Sequence, residues 1–258
     1  MSTSVRRERI IGTTESLQSQ FKQFRMTETA QALPGFLREA EQQSWTYQEL
    51  LVALCNHEEH RREEKTRQKY LKWAQFPFEK SLEDFDTIES MSLSKRQIDQ
   101  LRECDWLDQL FNLVLLGPPG VGKTHIAIGL GLEAIERGKQ VAFVSMGELI
   151  SLLKTEGYVR KSAIRLKRVR QADLVILDDM MFMAMETNEA NLFFQLISDL
   201  YEKSSIILTS NKGPDSWGKM LGDQGIATAI LDRLLHRCEV IHMDGESHRM
   251  KHRETIFE

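Results

Sequence analysis

The hydrophobic pattern changes period once along the chain. From about residue 20 to residue 75, apolar residues fall three to four apart, the repeat of helices that bury one face. The segments "FKQFRMTETAQAL" (21–33) and "PGFLREAEQQ" (34–43) both carry that spacing, and Pro34-Gly35 is expected to break one helix from the next. Ser44 or Thr46 is placed to cap a third helix, which opens with Tyr47, Leu50, Leu51 and Leu54. Its second half, "NHEEHRREEKTRQKYLKW", has almost no apolar face. There Glu58–Arg62 and Glu63–Arg67 are i,i+4 pairs of the kind that stabilise an exposed helix. That half reads either as a solvated helix end or as a projecting helix that touches a partner or nucleic-acid phosphates.

"FPFEKSLEDFDTIES" (76–90) reads as a linker into a second domain. Beyond it, short apolar runs alternate with helical segments. Strands are predicted at Asn112–Leu116, Gln140–Ser145, Asp173–Leu177, Ser205–Thr209 and Glu239–Met243, with a helix from Lys123 to about Arg137. Buried runs separated by helices imply an α/β fold, a five-stranded parallel sheet covered on both faces. The expected organisation is a flexible N-terminus over 1–15, a small all-helical domain over 16–80 and an α/β domain over 81–258.

Composition narrows the class. No apolar run is long enough for a transmembrane helix. The start, "MSTSVRRERIIGTTES", lacks the apolar core of a secretory signal. Cys55, Cys104 and Cys238 are far apart and odd in number, which suits reduced thiols in a cytoplasmic protein with no membrane partner. The net charge is -4, but it is uneven. Residues 1–80 hold 13 Lys/Arg against 11 Asp/Glu, and residues 81–258 hold 21 against 27. Any contact with DNA must therefore use a local patch.

The chemistry starts at Gly117-Pro118-Pro119-Gly120-Val121-Gly122-Lys123-Thr124, which fits G-x-x-x-x-G-K-[ST] at every fixed position, after a predicted strand and before a predicted helix. Glycines let backbone N–H groups approach phosphates, and the helix N-terminus favours their charge. In such a loop Lys123 reaches the β- and γ-phosphates, Thr124 ligates Mg²⁺, and His125 follows on the same helix turn. "LVILDDM" (174–180) supplies the second half: a buried strand ending in Asp178, expected to hold the Mg²⁺ shell through water, and Asp179, expected to orient the attacking water. That acidic pair argues against a small-molecule kinase, whose acceptor is a substrate. "IILTSN" (206–211) brings Asn211, ahead of Ser210 or Thr209, beside the γ-phosphate. Arg233 and Arg237, four apart on one helical face, are candidates to reach a neighbouring subunit's γ-phosphate, and Arg249 to reach the nucleotide of its own subunit.

In the order Walker A, "ILDD", "LTSN", "DRLLHR", "GESHR", the chain resembles the AAA+ ATPases of the IstB/DnaC branch, and most closely its IstB-like members. The likeness extends to "LPGFLREAEQQSWTYQELLVALCNHEEHRREE" and covers nearly the whole chain apart from residues 1–15. It implies a P-loop ATPase that uses ATP and Mg²⁺, self-associates when ATP is bound, binds duplex DNA largely without sequence preference, and serves a transposase. It also implies DNA transposition as the process and no full C-terminal lid, because about 15 residues follow the fifth strand. The missing lid puts a lid-type role for Arg249 in doubt. Asp179 stands where many AAA+ proteins have Glu; its shorter reach predicts slow hydrolysis. A loader of a helicase onto single-stranded DNA, of the DnaC type, is the alternative. A scaffold with negligible hydrolysis is another.

A DNA surface has one local candidate. Between residues 154 and 170 lie Lys154, Arg160, Lys161, Arg165, Lys167, Arg168 and Arg170, against one acid, Glu156. Phosphate contacts from such a segment would position the protein without reading sequence. "MMFMAM" (180–185) suits either a subunit contact or packing. His57/His60 and His248/His252 have helical spacing but no third ligand, so no metal site is assigned to them.

Overall fold

The computed structural model describes residues 13–83, 93–180, 185–245 and 247–248. The chain divides into two compact units between Thr66 and Arg67.

The first unit is helical: α1 (Thr14–Gln23), α2 (Thr27–Gln43) and most of α3 (Tyr47–Ala74). The expected break at Pro34-Gly35 does not occur, because α2 runs through Pro34. Proline lacks the N–H that would bond the carbonyl four residues back. That carbonyl, on Ala30, instead accepts a 2.8 Å hydrogen bond from Gln18 Nε2 of α1. The chain turns earlier, where Arg25 adopts a φ of 62°. Thr46 caps α3 reciprocally: its Oγ1 accepts from the Glu49 N–H at 3.2 Å, and Glu49 Oε2 accepts from the Thr46 N–H at 2.6 Å. Ala30, Leu33 and Leu54 are buried, whereas Tyr47 is 91% and Leu51 61% exposed. Polar ties supplement this small core. Thr29 Oγ1 donates to Glu58 Oε2 at 2.6 Å, Arg62 pairs with Glu58, and Glu28 pairs with Arg61 and with Lys65.

The second unit contains α4 (Lys95–Arg102), α5 (Asp105–Asp108), β1 (Asn112–Leu116), α6 (Lys123–Glu136), β2 (Val141–Ser145), α7 (Met146–Thr155) and α8 (Arg160–Gln171). It continues through β3 (Leu174–Asp178), α9 (Thr187–Leu200), β4 (Ser205–Ser210), α10 (Trp217–Met220), α11 (Gln224–Leu235) and β5 (Cys238–His242). The five strands are parallel in the order β2-β3-β4-β1-β5. Every residue of β1, β3 and β4 is buried, as continuous apolar runs require. Alternate residues divide between the faces. Leu113, Leu115, Ile176 and Ile207 join the core with α4 and α6; Val114, Leu116, Val175, Leu177 and Leu208 join that with α7, α8, α9 and α11. Each such fully buried side chain contributes roughly 1.5–3 kcal/mol.

The helix end and the linker that the sequence suggests both send residues into this core. Tyr70, Leu71 and Ala74, at the end of α3, pack against the α6 face of the sheet. Phe76 meets Phe143 edge to face, with ring centroids 6.2 Å apart. Leu82 lies so close to α6 that a methyl at Gly129 would come within 2.6 Å of its Cδ2. Phe76 and Leu82 thus anchor this segment at both ends while residues 77–80 stay exposed; residues 84–90 lie outside the described residues.

Candidate nucleotide-binding site

The register of the sheet assembles the site. Leu116 of β1 lies opposite Ser210 of β4, and Asp178 of β3 opposite Ser145 of β2, so the C-terminal ends of the strands finish together. Ligands of open parallel sheets bind at that edge. The loop after β1 turns into α6 through Gly122, whose φ of 97° is the left-handed conformation that glycine adopts without strain. Gly117 and Gly120 are approached closely. A methyl at Gly117 would sit 2.1 Å from the Met243 carbonyl oxygen, and one at Gly120 2.1 Å from Ser247 Oγ.

Lys123 is buried and gathers oxygens around its ammonium. Its Nζ donates to the carbonyls of Gly117 at 2.7 Å and Pro118 at 2.8 Å, and to Asn211 Oδ1 at 2.7 Å. The carboxylate of Asp178 accepts at Oδ1 from Thr124 Oγ1 at 2.8 Å and from Thr209 Oγ1 at 2.7 Å. Burial pushes the Asp178 carboxyl above the usual carboxylate range, against the two hydroxyls, which hold it down. Asp179 is exposed, takes a φ of 56°, and donates its N–H to Thr209 Oγ1 at 2.9 Å. Thr209 thus fixes both members of the acidic pair. The sequence ranked it behind Asn211; the signal that could have raised it is a hydroxyl at the end of the strand beside the acidic one.

These residues fit a magnesium nucleotide. The glycine loop leaves backbone at a helix N-terminus, where phosphates are favoured. Lys123 already holds several oxygen acceptors, and Thr124 with Asp178 offers the hard oxygen donors that Mg²⁺ takes. The chain after β5 crosses the loop: the Met243 N–H donates to the Leu116 carbonyl at 2.6 Å, and the His248 N–H to the Gly120 carbonyl at 3.1 Å. Ser247 and His248 were not singled out as loop contacts. His125 turns toward the segment before α4, with Nε2 2.8 Å from the Ser81 carbonyl oxygen. Arg249 lies outside the described residues.

Arg233 and Arg237 stand at the other end of the sheet. The carbonyl of Arg237 accepts from the N–H of Asn112, the first residue of β1, at 2.7 Å. Asn112 is buried and ties that corner together, its Nδ2 donating to the Leu234 carbonyl and its Oδ1 accepting from the Ile206 N–H. Arg233 Cζ lies 4.7 Å from the centroid of the Phe194 ring, and Arg237 Nη1 donates to the Gln109 carbonyl. Both arginines line a cleft with Tyr201 and His236.

The basic segment over 154–170 divides by burial. Lys154 pairs with Glu189 at 2.8 Å, and Arg170 pairs with Glu156 and Asp199. Arg165 points inward. It is 6% exposed and donates to the carbonyls of Trp73 and Phe143. Burial lowers its pKa from the usual arginine value. Arg160, Lys161 and Lys167 are exposed. In the methionine run, Met180 is buried and Met185 packs against the same core; 181–184 lie outside the described residues. Among the described residues no group of three His, Cys, Asp or Glu forms a metal cluster, and no helix is long and apolar enough to cross a membrane.

Known proteins match this arrangement. DnaI matches the fold with a TM-score of 0.53 at 20% identity, over 66% of this chain and 90% of its own. The DnaC helicase loader matches with a TM-score of 0.51 at 21% identity, over 64% of this chain and 96% of its own. At that identity the likeness shows the AAA+ fold and nothing finer. Sequence relatives are nearer. A Pseudomonas aeruginosa protein of insertion sequence IS21, named for ATP binding, is 39% identical over 217 residues, 84% of this chain and 82% of its own length. A Bacteroides fragilis protein of an IS21-like insertion sequence, also named for ATP binding, is 35% identical over 236 residues, 92% of this chain and 90% of its own. The family model described as IstB-like ATP binding protein matches residues 19–256. With the phosphate loop, the acidic strand and helices α2 and α3 all inside that match, the chain belongs to the IstB-like ATP-binding proteins.

Proposed function

We propose that this protein is an ATP-hydrolysing helper of transposition that assembles on duplex DNA when ATP is bound and recruits or activates a transposase. The observation that carries the reading is the separation of two halves of one site. Lys123, Thr124, Asp178, Asp179 and Asn211 cluster where the strands end, whereas Arg233 and Arg237 lie where β1 begins. Five residues of strand separate those ends, about 13 Å of rise. An arginine on the far side of its own sheet serves the nucleotide of a neighbouring copy, so a complete site needs two copies. ATP then favours assembly because its γ-phosphate has a partner only in the assembled state.

In this reading Thr124, and Asp178 through water, would hold Mg²⁺, which would supply positive charge to offset that of the phosphates. Lys123 binds the β- and γ-phosphate oxygens. Asn211, hydrogen-bonded to Lys123, orients the γ-phosphate and the attacking water. Asp179 accepts that water's proton, and Thr209 holds Asp179 and Asp178 in mutual register. Arg233 or Arg237 of the neighbour stabilises charge in the transition state. The short Asp179 side chain makes turnover slow, so the assembled state lasts. DNA is held through phosphates, without sequence preference, by exposed cations of α8. The insertion-sequence setting of the relatives supports a transposase as the protein partner.

Mixing two inactive variants tests the shared site. Lys123→Ala keeps its arginines and Arg233→Ala/Arg237→Ala keeps its phosphate loop. The mixture is expected to regain ATP turnover that neither variant has alone. A mixture as inactive as its components would remove the shared site.

A further inference from the structure

The end of α3 and the helix α8 form one basic surface. Residues 67–74 and 160–171 contain no Asp or Glu. Three of their cations are used internally: Arg67 on Glu136, Arg165 on two core carbonyls, and Arg170 on Glu156 and Asp199. The others, Lys69, Lys72, Arg160, Lys161, Lys167 and Arg168, have no ion-pair partner among the described residues.

Trp73 joins the two helices within this patch. Lys69 Nζ lies 4.8 Å from its ring centroid and Arg168 Cζ 5.4 Å, so one indole holds a cation from each helix. Its carbonyl accepts from Arg165 Nη1 at 3.1 Å, which locks the last turn of α3 to α8. Cations held together with no acid repel one another. The negative face of an indole offsets part of that repulsion, and a polyanion would offset the rest. On α8, Lys161 and Arg168 are seven residues apart on one face, ~10 Å, about the reach of three phosphates along one strand of a duplex.

We propose that Lys69 and Lys72 of α3 complete, with Lys161 and Arg168 of α8, a docking surface for the phosphodiester backbone of duplex DNA, and that Trp73 positions its cations. The proposal rests on the DNA-binding reading above and extends it to the end of α3, a segment outside the basic run that the sequence singled out. Trp73 acts as an organiser and not as a base-stacking platform, since its ring already carries two cations.

The test is the salt dependence of duplex binding by the full chain with ATP, followed by anisotropy of a labelled duplex. Each phosphate contact contributes about 0.9 to the slope of log affinity against log salt. Lys69→Gln/Lys72→Gln, both at exposed positions, is expected to weaken binding and to lower the slope by about 1–2, with thermal melting unchanged. Lys161→Gln/Lys167→Gln, read in parallel, reports on α8 alone. Trp73→Leu is expected to weaken binding more than Trp73→Phe, which keeps an aromatic face. A slope unchanged by Lys69→Gln/Lys72→Gln but lowered by the α8 pair would overturn this proposal, give the α3 cations to an acidic protein surface, and leave DNA binding by α8 standing. A wild-type chain that does not bind duplex at all would overturn both.

Discussion

Lys123 Nζ donates a 2.7 Å hydrogen bond to Asn211 Oδ1, joining the phosphate loop to the end of β4 across 88 residues of sequence. The amide is therefore already beside the cation that the proposed mechanism places on the phosphates. In the proposed mechanism Asn211→Ala removes a group from where charge develops, and leaves the loop and its lysine in place. Turnover is expected to fall about a hundredfold, the scale for losing one such donor, with nucleotide affinity changed far less. Equal losses in turnover and affinity, measured by kinetics and equilibrium titration, would make Asn211 a ground-state binder only.

Asp178 stores a conflict between stability and function. Its carboxyl is raised above its unfolded value because burial penalises the charge. A carboxyl raised on folding contributes its stability fully below the unfolded value of about 3.9, and loses it as pH climbs through the raised folded value. At neutral pH the nucleotide-free protein therefore carries a cost at this position. Asp178→Asn is expected to raise the melting temperature near neutrality and flatten its dependence on pH, while abolishing Mg²⁺-dependent turnover. Melting of the nucleotide-free variant across the acid-to-neutral range checks both.

Thr209→Val should act in the opposite direction. It removes the hydroxyl that donates to Asp178 Oδ1 and accepts the Asp179 N–H. Asp178 Oδ1 then keeps only Thr124 Oγ1 as a donor, and losing the two Thr209 hydrogen bonds costs roughly 1–3 kcal/mol. Denaturant unfolding should report that loss, and turnover should fall as well because the acidic pair is no longer held. Asp178→Asn/Thr209→Val should cost less than Thr209→Val alone, since the buried charge is gone.

In the helical unit, Gln18 and Pro34 form a compensating pair. Gln18→Ala leaves the Ala30 carbonyl without its side-chain donor and is expected to cost about 1 kcal/mol. In a Pro34→Ala background the same change should cost little, because residue 34 then supplies an N–H to that carbonyl. A double-mutant cycle that shows no coupling would separate the hydrogen bond from the tolerance of proline in α2.

The same unit should weaken in acid. Hydrogen bonds from Lys65 and Arg61 hold the Glu28 carboxyl below its usual range. A depressed carboxylate contributes stability that is full above its unfolded value, about 4.3, and disappears as pH falls through the folded one. Hydrogen exchange in α2, compared between wild type and Glu28→Gln at matched pH, should show protection in the wild type that converges on the variant in acid.

Much of this is legible in the sequence alone. The parallel strands, the phosphate loop and the acidic pair announce themselves because each is a local pattern: an apolar run, a fixed glycine spacing, a carboxylate at a strand end. Proline 34 misled because its remedy is tertiary; nothing near it in sequence shows that Gln18 supplies the missing donor. Arg165 misled for a different reason. A count of charges ignores faces, yet Ser162, Arg165, Leu166 and Val169 share the buried stripe of α8 at helical spacing, so the period held the answer. The role of Trp73 was not legible, because its two cations come from helices far apart in the chain.

In the proposed function ATP is the assembly switch, and sedimentation tests it most directly. Wild type and Lys123→Ala would be compared on a long duplex, with ATP and without nucleotide. A large complex that forms only with ATP, and is lost in Lys123→Ala, is the predicted result. A wild-type protein that stays monomeric on duplex in saturating ATP would contradict the account at its centre.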